Sequence, residues 1–295
     1  MNKRLCAIVI FTLLAVSACG TVEESNEYVA AMTTNIPPET RQIVIDADSI
    51  YQIDYDQEIA SPTSPEEPRL MIAIDPGHQS RGNYEREQNG PGSLNFNTKV
   101  ATGTRGVYTG VPEYQLVLEV SLQLRDELIA RGFDVFMIRE THDVNITNRE
   151  RAVMASESGA DIFLRIHANG STSQNAHGIK VLTSTTNNPY IPHLYQESRA
   201  LAEAVLCEMV TATGARNMGI MWSDNMTGNN WSTIPVIIVE MGFMTNPQED
   251  ELMQTPEYQR RLVLGMVRGV ERYFGVGGCL GEDGVLGMDC WPFVF

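Results

Sequence analysis

The chain has 295 residues and a formal net charge of −16 at pH 7, with 43% hydrophobic and 20% charged residues. This length allows one large domain or two ordinary ones. The acidic balance argues against a nucleic-acid partner, because nucleic-acid-binding proteins usually present basic patches. We therefore expect partners that are neutral or cationic, or contacts that depend on short-range recognition.

The first residues predict export from the cytoplasm. Two basic residues precede an apolar stretch at 5–16, and Ser17-Ala18-Cys19 follows, which is typical of a signal peptide and short for a membrane span. With Val16, the small residues before Cys19 resemble the bacterial lipobox. This resemblance implies a lipoprotein signal peptide at 1–18, lipidation of Cys19 and an extracytoplasmic protein anchored to the bacterial membrane. An ordinary secretory signal is the alternative.

The segments on either side of the folded body differ from it in composition. Residues 19–69 are rich in Glu, Thr, Ser and Pro and predict a flexible acidic tether, since such a segment buries little apolar surface. Residues 275–295 form a Gly-rich C-terminal tail with Cys279 and Cys290, and the sequence leaves their pairing open. The folded domain is expected at 70–274.

The folded body begins with an apolar strand that ends in Pro76-Gly77 and leads directly to His78. The Gly- and Asn-rich stretch 79–110 is predicted to be a long loop. Apolar residues at four-residue spacing predict a helix from about Glu113 to Arg131. A short strand follows, and a capping-box pattern that starts at Thr147 predicts the next helix.

The second half of the body continues the alternation of strands and helices. Residues 161–167 predict a buried strand that also ends in a histidine, and 178–183 predict another, with Lys180 favouring an edge position. Further elements are predicted in this order: a helix at 194–213, a strand at 235–240 and a last helix that ends near Phe274. This order predicts an α/β fold, a single domain with a mostly parallel twisted sheet flanked by helices on both faces.

Three predicted strands end in a potential ligand or acid, namely His78, His167 and Glu240. The C-terminal ends of parallel strands share one edge, so these side chains can converge there. Two imidazoles and a carboxylate are a common hydrolytic zinc set. Four glutamates compete for the carboxylate position: Glu85, Glu87, Glu113 and Glu240. Glu113 is favoured by its place at a helix N-terminus, although a first-turn glutamate also simply complements the helix dipole.

Several motifs together resemble one enzyme family. They are Ile74-Asp75-Pro76-Gly77-His78, then Glu113, the arginines 149 and 151 ahead of residues 160–169, and residues 235–246. In this order they resemble the catalytic domain of zinc-dependent N-acetylmuramoyl-L-alanine amidases of the amidase 3 type. The resemblance covers about residues 70–274.

The resemblance implies an activity and a role for each site residue. His78, Glu113 and His167 are expected to bind one Zn²⁺, and Glu240 is expected to be the catalytic carboxylate. The implied reaction is hydrolysis of the amide bond between N-acetylmuramic acid and L-alanine in peptidoglycan. Peptidoglycan is therefore the expected partner of the protein. The zinc ion would polarise the scissile carbonyl and lower the pKa of its water to about 7.

The chain departs from the family pattern at two places. The segment between His78 and Glu113 is longer than in compact members, and Arg165 stands where many members have a serine. Strand alternation places Arg165 on the same face as His167, where it is expected to contact substrate carboxylates or to pair with Asp75. Asn169 is a further candidate for substrate binding or for supporting the metal ligands.

Two alternative functions stay open at this point. One is a catalytically silent lipoprotein that binds peptidoglycan, motivated by the long segment after His78 and by Arg165. The other is a zinc amidohydrolase that acts on other small amides, because the chain has no recognisable wall-binding module.

Overall fold

The computed structural model describes residues 69–276. The predictions for the signal peptide, the lipidation of Cys19, most of the tether and the pairing of Cys279 with Cys290 lie outside the described residues. Within residues 69–276, no helix is both long and apolar enough to cross a lipid bilayer.

The described residues contain one large sheet and one hairpin. The strands are β1 (Met71–Pro76), β2 (Asn83–Gln88), β3 (Phe96–Val100), β4 (Asp134–Met137), β5 (Ile162–Asn169), β6 (Ile179–Thr183), β7 (Asn217–Trp222) and β8 (Val236–Phe243). Six of them form a sheet in the order β4-β1-β5-β8-β6-β7, and β2 pairs with β3. Neighbours in the large sheet are parallel, except that β6 runs antiparallel to β8.

Helices cover the sheet and connect its strands. They are α1 (Glu113–Ala130), α2 (Asn148–Glu157), α3 (Tyr195–Thr213), α4 (Thr227–Asn230), α5 (Pro247–Met253) and α6 (Pro256–Phe274). The predicted capping box opens α2, with Thr147 and Glu150 each accepting a backbone hydrogen bond from the other. Asn246 and Thr255 cap α5 and α6, and each of these helices has a proline in its first turn.

Strand alternation divides the core into two layers. In β1, Ile72 and Ile74 pack in the larger apolar cluster with α1, α3 and α6, whereas Ala73 packs in the smaller cluster with α2. In β5, Leu164 and Phe163 divide in the same way. The sheet is therefore buried on both faces, which confirms the predicted mostly parallel α/β architecture.

Four strands differ from the sequence prediction. The segment 79–110 contains β2 and β3, whose polar residues carry little of the apolar periodicity that marks a strand. β7, which the sequence analysis did not predict, lies at one edge of the sheet, so β6 is an interior strand and the predicted edge position of residues 178–183 is wrong. Lys180 lies beside Glu240 on the neighbouring strand, and its ammonium group stands over the ring of Phe243, 5.4 Å from the centroid.

Candidate metal centre

His78 lies directly after β1 in an unusual backbone conformation. It is the one non-glycine residue of the described chain with a positive φ, at 59°. Its Nδ1 donates a hydrogen bond to the carbonyl oxygen of Ala101, just after β3, at 2.8 Å. That hydrogen bond selects the tautomer and leaves the lone pair of Nε2 free on the other side of the ring.

Glu113 is the first residue of α1 and its carboxylate is buried. Oε2 accepts a hydrogen bond from the backbone N–H of Thr104 at 2.8 Å, and Oε1 accepts one from the N–H of Ala168 at 3.1 Å. Burial alone would raise the pKa of Glu113, but His167 and His78 outweigh it and hold the pKa well below its usual range. Glu113 is therefore an ionised carboxylate held in a fixed position.

His167 completes a group of three ligand atoms. Its Nδ1 lies 3.2 Å from Nε2 of His78 and 3.1 Å from Oε1 of Glu113, and the last two atoms are 3.1 Å apart. Burial lowers the pKa of His167, which favours the neutral imidazole that metal binding requires.

The spacing of these three atoms can be compared with that of a zinc site. Tetrahedral ligands at zinc distances of about 2.0–2.1 Å lie about 3.3 Å from one another. The observed separations are close to this value, and the donor set is two imidazoles and one carboxylate. The two imidazoles and the carboxylate therefore fit a zinc ion, which His78, Glu113 and His167 would hold.

Glu240 lies beside this group on β8. Its Cα is the register partner of His167 on the adjacent parallel strand, so both side chains project from the same face of the sheet. The side chain keeps some solvent exposure, but Oε2 is shielded and has no hydrogen-bond partner in the described chain. Burial and, next, the negative charge of Glu113 raise the pKa of Glu240 to about 8.

Three buried arginines support the turn that carries His78. Arg151 and Arg165 both donate to the carboxylate of Asp75, at 2.6 and 3.0 Å, and Arg151 also donates to the carbonyl oxygen of His78 at 3.0 Å. Arg139 donates to both carbonyl oxygens of the preceding Pro-Gly pair, at 2.8 and 2.9 Å. These hydrogen bonds hold His78, the first candidate ligand, in its strained backbone conformation.

The other predicted site residues lie in different surroundings. Glu85 pairs with Lys99 at 2.6 Å, and Glu87 accepts from the backbone N–H of Arg149, so neither belongs to the group of ligand atoms. Arg165 adopts the second of its two predicted roles, pairing with Asp75, and its guanidinium is buried. The guanidinium group of Arg165 is therefore already paired and lies in the interior.

Asn169 remains a candidate for substrate binding. It is the last residue of β5, beyond the second histidine. Its Nδ2 is shielded from solvent and has no hydrogen-bond partner among the described residues, whereas its Oδ1 accepts from the N–H of Gly170.

Sequence reasoning missed two residues that shape the site. Arg139 follows the short strand β4 and carries no motif that marks its position. Gly103 has a φ of +82°, and a Cβ there would lie 2.6 Å from Oε2 of Glu113 and 2.8 Å from the ring of His78. The sequence contains several glycines in 79–110, but nothing in it marks this one as the residue that packs against two ligands.

Comparison with known proteins gives consistent similarities. A model of the N-acetylmuramoyl-L-alanine amidase family, amidase 3 type, matches residues 72–272. The uncharacterized protein YqiI of Bacillus subtilis is 28% identical over 168 residues, covering 57% of this chain and 77% of YqiI. The germination-specific N-acetylmuramoyl-L-alanine amidase of the same organism is 26% identical over 182 residues, covering 55% of this chain and 70% of that enzyme. The solved structure of the amidase Ami1 from Mycobacterium smegmatis aligns with a TM-score of 0.63 and 25% identity, over 70% of this chain and 97% of that one.

Proposed function

The chain belongs to the N-acetylmuramoyl-L-alanine amidase family of the amidase 3 type, and from this membership we propose that it is a zinc-dependent peptidoglycan hydrolase. The bond to be cleaved is the amide between N-acetylmuramic acid and L-alanine. The observation that carries the zinc dependence is the mutual spacing of 3.1–3.2 Å among the ligand atoms of His78, Glu113 and His167.

In this proposal His78, Glu113 and His167 hold the ion. When bound, zinc supplies Lewis-acid chemistry, polarising the scissile carbonyl and making a water molecule more acidic. The residues around these ligands contribute by holding each one in place: Ala101 orients His78, and Thr104 orients Glu113. Such supporting hydrogen bonds fix the direction of the ligand lone pairs before the ion binds.

Glu240 is proposed to move the proton in the reaction. A carboxylate whose pKa lies near the working pH can accept the proton of the attacking water and return it to the departing amine. Burial and the nearby charge of Glu113 raise the pKa of Glu240 from the usual range of a carboxyl group towards neutral pH. Lys180, its cross-strand neighbour, acts in the opposite direction and favours the ionised form that a base requires.

Gly103→Ala is expected to weaken zinc binding by about 10–100-fold, the range seen when residues that support metal ligands are changed. The added methyl group would displace Glu113 and the ring of His78. Competition against a chromophoric chelator measures the affinity.

Gly110→Ala is the matched control for this substitution. Gly110 also has a positive φ, of +71°, but a Cβ there would meet no atom within 4 Å. The Gly110→Ala variant should therefore lose a little stability from backbone strain while keeping the zinc affinity of the wild type. Equal zinc affinities of the two variants would contradict the proposed contact with the ligands.

Zymography in gels that contain purified cell wall tests the activity itself. The wild type should clear the gel, chelation by EDTA should abolish clearing, and added Zn²⁺ should restore it, since the ligands must be occupied for turnover. If zinc-loaded protein never clears the gel, the enzymatic proposal would be wrong, and sedimentation with purified wall would then test the alternative of a catalytically silent peptidoglycan-binding protein. Clearing that persists in EDTA would contradict the metal dependence.

We also propose a location for this activity. Residues 1–18 act as a lipoprotein signal peptide, lipidated Cys19 anchors the mature chain, and residues 19–69 tether the catalytic domain of 70–274 to the membrane. The support is the lipobox-like sequence before Cys19 and the composition of the tether. Metabolic labelling with a palmitate analogue would give a labelled wild type and an unlabelled Cys19→Ser.

A further inference from the structure

A polar cleft of about 550 Å³ lies between the β2–β3 hairpin and the segment around α4. Seven residues line it: four asparagines, one aspartate, one tyrosine and one proline. None of these lining residues carries a positive charge. The cleft therefore suits a neutral ligand with many hydroxyl and amide groups better than an anion.

The polar groups of the cleft are held in position by one another. Asn97 Nδ2 donates to Asn89 Oδ1 at 2.7 Å and to Asn225 Oδ1 at 3.2 Å. The carboxylate of Asp224 accepts two hydrogen bonds from Thr185, one from its backbone N–H at 2.9 Å and one from the Thr185 hydroxyl group at 2.7 Å. These hydrogen bonds order the walls of the cleft in advance, so a ligand that contacts the polar atoms they leave free loses little affinity to the cost of arranging them.

Tyr190 supplies an aromatic surface on one side of the cleft. Its hydroxyl group donates to Ser93 Oγ at 2.9 Å, and its ring lies against Gly90, where a Cβ would come within 2.6 Å of the ring. The ring is thus fixed in orientation, with one apolar surface and one polar end. Acetamido sugars match this combination, since they present hydroxyl groups, an amide and an apolar face of ring C–H groups.

Strand β3 connects the cleft with the candidate metal centre. Asn97 lines the cleft, and Ala101, four residues further along the chain, accepts the hydrogen bond from His78. At about 3.3 Å per residue of extended chain, the two places are about 13 Å apart. A saccharide of a few rings is long enough to span such a distance.

We propose that this cleft is a subsite for the N-acetylated glycan strand of the cell wall, separate from the site of amide hydrolysis. This inference rests on the proposed function, because it takes peptidoglycan as the substrate. Its consequence is that the hairpin increases activity on polymeric wall and leaves activity on a short muramyl peptide unchanged.

The test uses Asn95→Trp in the full chain. Asn95 lines the cleft, is exposed and makes no side-chain hydrogen bond in the described structure, so the indole should fill the cleft without disturbing the fold. Asn175→Trp, at another exposed asparagine outside the cleft, is the matched control. Asn95→Ala serves as a second, milder variant.

Isothermal titration with a peptide-free N-acetylglucosamine tetramer gives the first readout. Wild type and Asn175→Trp should bind it equally, and Asn95→Trp should bind at least about tenfold more weakly. Asn95→Trp should also digest intact wall several-fold more slowly, with an unchanged kcat/KM on a soluble muramyl peptide. A tetramer that fails to bind the wild type, or binds Asn95→Trp equally well, would overturn the subsite.

Failure of the proposed function gives a different pattern. If the wild type hydrolyses neither wall nor muramyl peptide but binds the tetramer through this cleft, the enzymatic proposal is overturned and the glycan subsite is upheld. If hydrolysis proceeds but tetramer binding is insensitive to Asn95→Trp, the subsite is overturned and the enzymatic proposal is upheld.

Discussion

Glu240→Gln is expected to lower kcat on peptidoglycan by about 10²–10⁴-fold, the usual contribution of a positioned general acid or base. Glutamine has nearly the shape of glutamate but cannot take a proton from water at neutral pH. Because Glu240 is not among the three clustered ligand atoms, elemental analysis should still find one zinc ion per chain. Steady-state rates of amide hydrolysis measure the loss.

His78→Ala is the contrast to this variant. It removes one of the three ligand atoms, so its primary effect should be a lower zinc content, from which any loss of activity follows. If Glu240→Gln lost its zinc as readily as His78→Ala, Glu240 would be a ligand and its assignment as the proton-transfer group would be wrong.

Asp75→Asn is expected to destabilise the fold by about 3–5 kcal/mol, as does breaking other buried ion pairs. The side chains of Asp75 and Arg151 are fully buried, and that of Arg165 is almost so. The substitution would leave two guanidinium groups in the interior without a counter-charge. The thermal midpoint should fall on the order of 10 °C, measured by circular dichroism.

The pH dependence provides an independent check on this ion-pair network. Burial alone would raise the pKa of Asp75, but Arg151 and Arg165 outweigh it and hold the pKa well below its usual range. A group with a depressed pKa stabilises the fold above its unfolded pKa of about 3.9 and loses that effect as the pH falls towards the folded value. The stability gap between wild type and Asp75→Asn should therefore be constant near neutrality and shrink below about pH 4.

A surface ion pair supplies the control for this experiment. Glu203 pairs with Arg199 one turn away on α3, and both side chains are about half exposed. Glu203→Gln should leave the thermal midpoint unchanged, since solvent screens such pairs. If Asp75→Asn also left the midpoint unchanged, the buried network would not be supporting the turn before His78.

The sequence predicted the architecture well because the interior strands have strong apolar patterns. Strand β8 begins with four consecutive apolar residues, Val236 to Val239, as expected of a strand covered on both faces. The ends of such strands share one edge, and for this reason His78, His167 and Glu240 could be expected to lie together. The structure brings them and Glu113 to one place, while their chemical roles stay predictions.

The hairpin and the buried arginines could not be predicted in the same way. Strands β2 and β3 are held largely by polar contacts between residues distant in sequence, such as Asn97 with Thr227, which leave no periodic signal. Arginines are usually exposed, so neither Arg139 nor Arg151 could be assigned to the interior without knowing that Asp75 and the turn carbonyls face them. Strand alternation leaves two roles open for Arg165, contact with substrate carboxylates or pairing with Asp75. Only the tertiary contacts show the pairing with Asp75.

The chemical identity of the new ends in digested peptidoglycan tests the central claim most directly. After zinc-loaded protein acts on purified wall, dinitrophenylation and mass spectrometry should find new amino termini on L-alanine, with intact stem peptides released and no new reducing sugar ends. Glu240→Gln should generate them at a rate lower by about 10²–10⁴-fold. Hydrolysis at any other bond, or no new L-alanine termini from zinc-loaded wild type, would contradict the account.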